Sequence, residues 1–156
     1  MQATKTNWNL DNGMGGMISV GIGGSITGYG ADLLIVDDPI KNRAEAESAT
    51  YRDKLWDEYQ STVSTRLHAG GAVIIILTRW HEDDLAARLL NPEYGKVEDW
   101  DIISLPAVCE DPATDPLGRE LGEALWPAGG YDEAWAAQQK ETVGTYAWAS
   151  LYMQTP

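Results

Sequence analysis

The stretch LLIVDDP, residues 33–39, is a continuous apolar run from Leu33 to Val36 closed by Asp37, Asp38 and Pro39. A strand with one wet face would alternate apolar and polar residues. An unbroken run instead fits a strand buried on both faces of a parallel sheet. Ligands of α/β sheets gather at the carboxyl ends of the strands, so the two carboxylates stand where a nucleotide would bind. Phosphoryl transfer needs a divalent ion to spread charge and a carboxylate to orient the attacking water. Asp37 is assigned to the metal shell and Asp38 to the water. Neighbouring strand residues face opposite ways, so both acids serve one ion only if the chain turns there, and Pro39 allows that turn. Taken alone, the motif is equally a strand running into a loop.

Downstream, Asn42 with Glu45 three residues on reads as a capping box, and Trp56, Tyr59, Val63 and Leu67 recur at helical spacing. These predict a helix over about 43–67, stopped by Gly70 and Gly71. The run AVIIIL, residues 72–77, predicts a second buried strand, making a right-handed βαβ unit with two parallel strands. Its tip carries Thr78, Arg79, Trp80 and His81. Thr78 is placed to hydrogen-bond a phosphate or the ordered water, and Arg79 to neutralise developing charge; the other reading of Arg79 is an ion pair with Glu82 or Asp83. Asp83 and Asp84 suit the first turn of a further helix with Leu85, Leu89 and Leu90 on its buried face, ended by Asn91 and Pro92.

The remaining segments carry weaker patterns. Gly13 to Gly30 reads as hairpin and loop with a short strand over Met17–Val20, and a further strand is expected near Trp100–Leu105. Residues 107–130 hold three prolines without periodicity, which predicts an irregular surface excursion. Two helices, about 132–143 and around 146–152, follow on either side of Gly144. Trp56 and Trp135 are read as core. The acids Glu45, Glu47, Asp53, Asp57 and Glu58 are read as a solvated helix face.

Composition narrows the function. The 156 residues are 44% hydrophobic and 22% charged, with 24 acids against 11 Lys and Arg, for a net charge of -13. Such a surface repels a phosphate backbone, which argues against free-standing DNA binding. The longest strongly apolar run falls far short of the roughly 20 residues that span a bilayer. Cys109 is the sole cysteine and no apolar leader stretch opens the sequence, so an intracellular protein is expected. His68 and His81 do not form HExxH, which argues against zinc, and the acids beside His81 are read as a helix first turn more than as a cation site. No lysine sits in GxxxxGK[ST], and GIGGSITGYG breaks the GxGxxG register at Ile26.

GGSITGYGADLLIVDDPIKN, YRDKLWDEYQSTVSTRL and IIILTRWHEDDLAARLL, in this order and spacing, closely resemble segments of tailed-phage terminase large subunits, the DNA-packaging motor. TYAWASLYMQTP resembles the segment leading towards the nuclease domain. The resemblance implies an α/β fold: a partial three-layer parallel sheet with flanking helices, resembling the P-loop NTPase (terminase/RecA-like) core without its Walker A portion. It implies a Walker B site with Asp37 on magnesium and Asp38 where a catalytic glutamate often stands, and a coupling motif on Leu77, Thr78 and Arg79. Residues 1–106 would be a partial ATPase core, the C-terminal part of the ATPase domain. Residues 107–156 would be an irregular loop and helical linker towards a nuclease domain outside this sequence. Implied cofactors are Mg2+ and ATP. Implied partners of the complete protein are double-stranded viral DNA, the portal protein and the small terminase subunit, in the cytoplasm of a bacterial host. With no phosphate loop, the chain reads as a fragment, a split gene product or a prophage remnant without ATP hydrolysis. A third reading is a metal-dependent phosphoesterase using Asp37, Asp38 and the His81 cluster.

Overall fold

The computed structural model describes residue 4, residues 6–24 and residues 28–156. Lys5 and the SIT segment of the glycine-rich tract lie outside them, Ile26 included. Near the amino end, β1 (Asn7–Asn9) and β2 (Gly16–Ile18) pair antiparallel with Trp8 opposite Met17. The expected strand over 17–20 is therefore shorter and begins one residue earlier.

The parallel pair is present. β3 (Ala31–Asp37) lies beside β4 (Leu67–Ile76) with Leu34 opposite Val73 and Asp37 opposite Ile76. β4 begins before Gly70 and Gly71 and runs through them, contrary to the expectation that they end a helix. Gly70 takes φ 81, and the ladder shifts register between Ala31 and Leu33, so the glycines absorb extra length as a bulge. At Gly71 a Cβ would lie 2.9 Å from the Asp32 carbonyl oxygen, so only glycine permits that approach.

Between the strands the single expected helix is broken into pieces. α1 (Arg43–Glu47) is capped by Asn42, whose side chain accepts from the Glu45 N–H, while Glu45 Oε2 accepts from the Lys41 N–H at 3.1 Å. Ser48 then adopts an extended conformation and caps α2 (Ala49–Glu58) by accepting from the Tyr51 N–H. Beyond α2 the chain widens into a π turn at Tyr59–Val63 and tightens into a 3₁₀ turn at Ser64–Arg66. The run STVST explains this. Ser61, Ser64 and Thr65 donate their hydroxyls to carbonyls of Asp57, Gln60 and Ser61, competing with the regular ladder.

Val36, Ile40, Ala46, Leu55 and Leu85 form the main core, with Ile75, Trp56 and Leu89 packed against it. The helices α1, α2 and α3 (Leu85–Leu90) thus cover one face of the pair. The other face is bare: Leu33, Ile35, Ile74 and Ile76 are 50%, 56%, 44% and 53% exposed. This corrects the expectation of strands buried on both faces. The described residues supply one helical layer and two parallel strands, an α/β arrangement of two layers where three were expected. Trp100–Leu105 forms no strand, since no neighbour among the described residues pairs with it, and Ile102 and Ile103 are exposed. Leu90 is exposed too, unlike Leu85 on the same helix.

A second core gathers Ala107, Ala136, Trp148 and Met153, with Trp135 and Tyr152 against it. Its carboxyl part is α4 (Glu133–Ala147), capped by Asp132 and interrupted at Gly144 (φ 79, ψ 167), followed by a π turn over Trp148–Tyr152. Residues 107–130 are irregular, as expected, but not confined to the surface. Cys109, Ala124 and Arg119 are buried, and Arg119 donates to Asp115 and to the Pro106 carbonyl. The Arg119 hydrogen bond holds the Asp115 carboxyl down to about 2. Among the described residues no helix is long and apolar enough to cross a membrane.

Candidate functional site at the carboxyl ends of β3 and β4

Because Asp37 stands opposite Ile76, the two strands end flush, and the Asp38 N–H donates to the Ile76 carbonyl at 2.8 Å. The acids of β3 and the Thr78–Arg79 tip of β4 therefore share one edge. Asp38 has φ 41, a left-handed conformation uncommon outside glycine but most tolerated by Asp and Asn, so the chain turns there with Pro39 buried behind it. Alternation along β3 leaves Asp37 on the outward face with Leu33 and Ile35. Asp38, Ile40, Thr78, Trp80, Asp84 and Leu85 line a small cleft on the other side. The structure brings Asp38 and Thr78 together and leaves Asp37 outside that cleft.

Both carboxylates are exposed, and among the described residues neither joins an ion pair. Unclaimed carboxylate oxygens at a strand edge suit magnesium, which takes one or two carboxylates and completes its shell with water and phosphate. A cage made wholly of protein is another matter: no group of three or more His, Cys, Asp or Glu is poised for a metal among the described residues.

The Arg79 guanidinium is engaged by Asp84, not by Glu82 or Asp83. Asp84 is 2% exposed and uses its other oxygen to cap α3, accepting from the Ala87 N–H at 2.9 Å. Asp83 serves a separate bundle. It accepts from Arg52 Nε at 3.0 Å, from Arg88 Nε at 2.7 Å and Nη2 at 2.6 Å, and from the Tyr94 hydroxyl at 3.2 Å. The hydrogen-bonded Arg88 guanidinium holds the Asp83 carboxyl far below the usual carboxylate range, against the opposing pull of burial and with Arg52 adding to the effect. Arg88, only 5% exposed, also holds Asp53 at 2.8 Å, while the Asp53 side chain stays 65% exposed on the solvated helix face. With His81 Nδ1 accepting from the Asp83 N–H, the His81–Asp84 run is spent on holding α3 in place.

Sequence reasoning missed two residues that reach this edge from the second core. Gln154 Oε1 accepts from the Arg79 N–H at 3.4 Å, and the Tyr146 hydroxyl donates to Glu47 Oε1 at 3.2 Å while lying 3.4 Å from the Trp80 carbonyl. Arg43 sits over the Tyr146 ring at 4.5 Å. Both lie in TYAWASLYMQTP, but nothing in that segment's pattern points them at the β3–β4 edge. The Asp84 partnership was partly readable, as an acid in a helix first turn.

Residues 5–152 match the family model described as terminase large subunit, T4likevirus-type, N-terminal. The chain belongs to this family. It is therefore a terminase large-subunit chain, of the machinery that packages phage DNA. No curated protein and no solved structure matches it. In this terminase chain the flush strand ends form an edge with one hydroxyl and two carboxylates that join no ion pair among the described residues, set against a braced helix.

Proposed function

We propose that the terminase chain supplies the acid-bearing Walker B strand and the coupling strand of an ATP-driven DNA-packaging motor, as the later part of its ATPase domain. The observation that carries this reading is the flush register of β3 and β4, with the Asp38 N–H bonded to the Ile76 carbonyl. It supports the reading by bringing Asp38 and Thr78 to the same edge, where α/β sheets bind ligands. Asp38 accepts a hydrogen bond from the attacking water and orients it, and Thr78 donates to a phosphate oxygen. Asp38 would hold magnesium at the cleft, and Asp37, on the opposite face of β3, would join it only by swinging its carboxylate round the strand end; the ion would spread charge from the phosphate oxygens. Arg79 braces α3 through Asp84, and it neutralises phosphate charge only once that pair opens. The sequence carries no GxxxxGK[ST], so we assign the phosphate cradle for ATP to chain outside these residues. Viral DNA, the portal protein and the small subunit are partners of the complete protein, in the bacterial cytoplasm.

The test is ATP turnover by the complete large subunit carrying this segment. Asp38→Asn is expected to slow it roughly 10²-fold or more, the contribution of a positioned base. Unchanged turnover would remove Asp38 from the reaction. The missing phosphate loop favours a second reading for the 156 residues taken alone, a folded but non-hydrolytic domain. Steady magnesium-dependent ATP hydrolysis by the purified chain would exclude it.

A further inference from the structure

The stretch between Lys96 and Lys140 holds ten acidic residues and a single base, Arg119. That base is buried and paired with Asp115, so it offers no positive charge to the surface. Against this strongly negative background one large aromatic stands out: Trp126 is 60% exposed. It is nonetheless fixed in place. Its ring stacks on Tyr131 with centroids 5.9 Å apart and planes 16° from parallel, and the backbones of the two residues form an antiparallel bridge. On the short turn between them, a Cβ on Gly129 would lie 2.5 Å from the indole, so a residue without a side chain seats the ring. Tyr131 in turn packs edge-on to Trp135, whose ring is part of the second core.

A rigid, exposed Trp–Tyr pair presents large contact area at little entropic cost, which is the character of an interface anchor. Charge decides its occupant. A nucleic acid would bring phosphates against this acidic stretch, and a second copy of the chain would bring the same excess of acids. A cationic polypeptide meets complementary charge, and an arginine laid over an indole face adds a cation–π contact. We propose that the Trp126–Tyr131 pair is a docking platform for an arginine-rich amphipathic segment of a protein partner. This is independent of the reading of the β3–β4 edge.

The probe is a short amphipathic peptide of arginine and leucine, titrated into the full chain and followed by calorimetry, with a matched peptide carrying glutamate for arginine as control. The arginine peptide is expected to bind, more weakly as salt rises. Trp126→Ala is expected to weaken it at least roughly tenfold while leaving the circular dichroism spectrum unchanged. Gly129→Ala, which unseats the ring without removing it, is expected to weaken it less, and Trp8→Ala on the amino-terminal hairpin not at all. Equal affinity of the wild type and Trp126→Ala would overturn the proposal. So would Trp126-dependent binding of duplex DNA, or Trp126-dependent self-association in place of peptide binding.

Discussion

The two cores of this chain are held together by different means. Around β3 and β4, aliphatic residues at regular spacing fill the interior, and Asp83 ties α2 to α3 through Arg52 and Arg88. Around α4, a run of aromatic contacts from Trp126 through Tyr131, Trp135 and Tyr152 to Trp148 does the packing, and Arg119 stitches an irregular loop to a buried carboxylate and a carbonyl. The first kind of core is periodic and the second is not. Polar contacts through Tyr146 and Gln154 join them. Each core should therefore respond to its own mutations.

The largest expected effect is Leu55→Ala. Leu55 is 3% exposed, and truncation leaves a cavity costing about 3–4 kcal/mol. Hydrogen exchange should show protection lost over β3, β4 and α2 while α4 keeps its own; equal loss in both regions would show a single cooperative core. Asp83→Asn follows, at roughly 3 kcal/mol, because it leaves the buried Arg88 short of its main partner. Acid probes the same contact. The folded Asp83 carboxyl is depressed, so its stabilisation is complete above an unfolded value of ~3.9 and fades as pH falls below it towards the folded value. Asp115 in the second core, at about 2 when folded, has the same sign. Thermal melts of Asp83→Asn should flatten with pH between ~4 and ~2 relative to the wild type, and a parallel pair of curves would contradict the assignment.

Smaller effects sharpen the contrast between covered and bare surfaces. Asn42→Ala removes the α1 cap and should cost about 1 kcal/mol by chemical denaturation. Ile74→Thr on the bare face should change stability by less than about 0.5 kcal/mol, since its side chain is already half in water. A cost comparable to Leu55→Ala would mean that this face is covered in solution.

What is legible in the sequence follows the same division. LLIVDDP announces β3 and its acidic end, AVIIIL announces the second half of β4, and Asn42, Asp84 and Gly144 mark helix boundaries that the structure has. The helix expected over 43–67 is too long because Trp56, Tyr59 and Val63 keep helical spacing while Ser48 and the hydroxyls of STVST break the ladder locally. An apolar run cannot say whether both its faces are covered, so the bare side of Leu33 and Ile35 is hidden from local pattern. The strand expected at Trp100–Leu105 does not form because pairing depends on a neighbour that the same pattern does not specify. At the candidate site the strand-end residues are readable, the Asp84 partner of Arg79 is readable only as an acid in a helix first turn, and the reach of Gln154 depends on tertiary geometry.

The most direct test of the central claim, that Asp38 and Thr78 form the acid half of a nucleotide site, is a magnesium titration of the purified chain followed by amide resonances. Magnesium should move the signals of Asp37, Asp38 and Thr78 in the wild type and leave them in place in Asp38→Asn. Shifts confined to the acidic stretch between Lys96 and Lys140, with the β3–β4 edge silent, would contradict it.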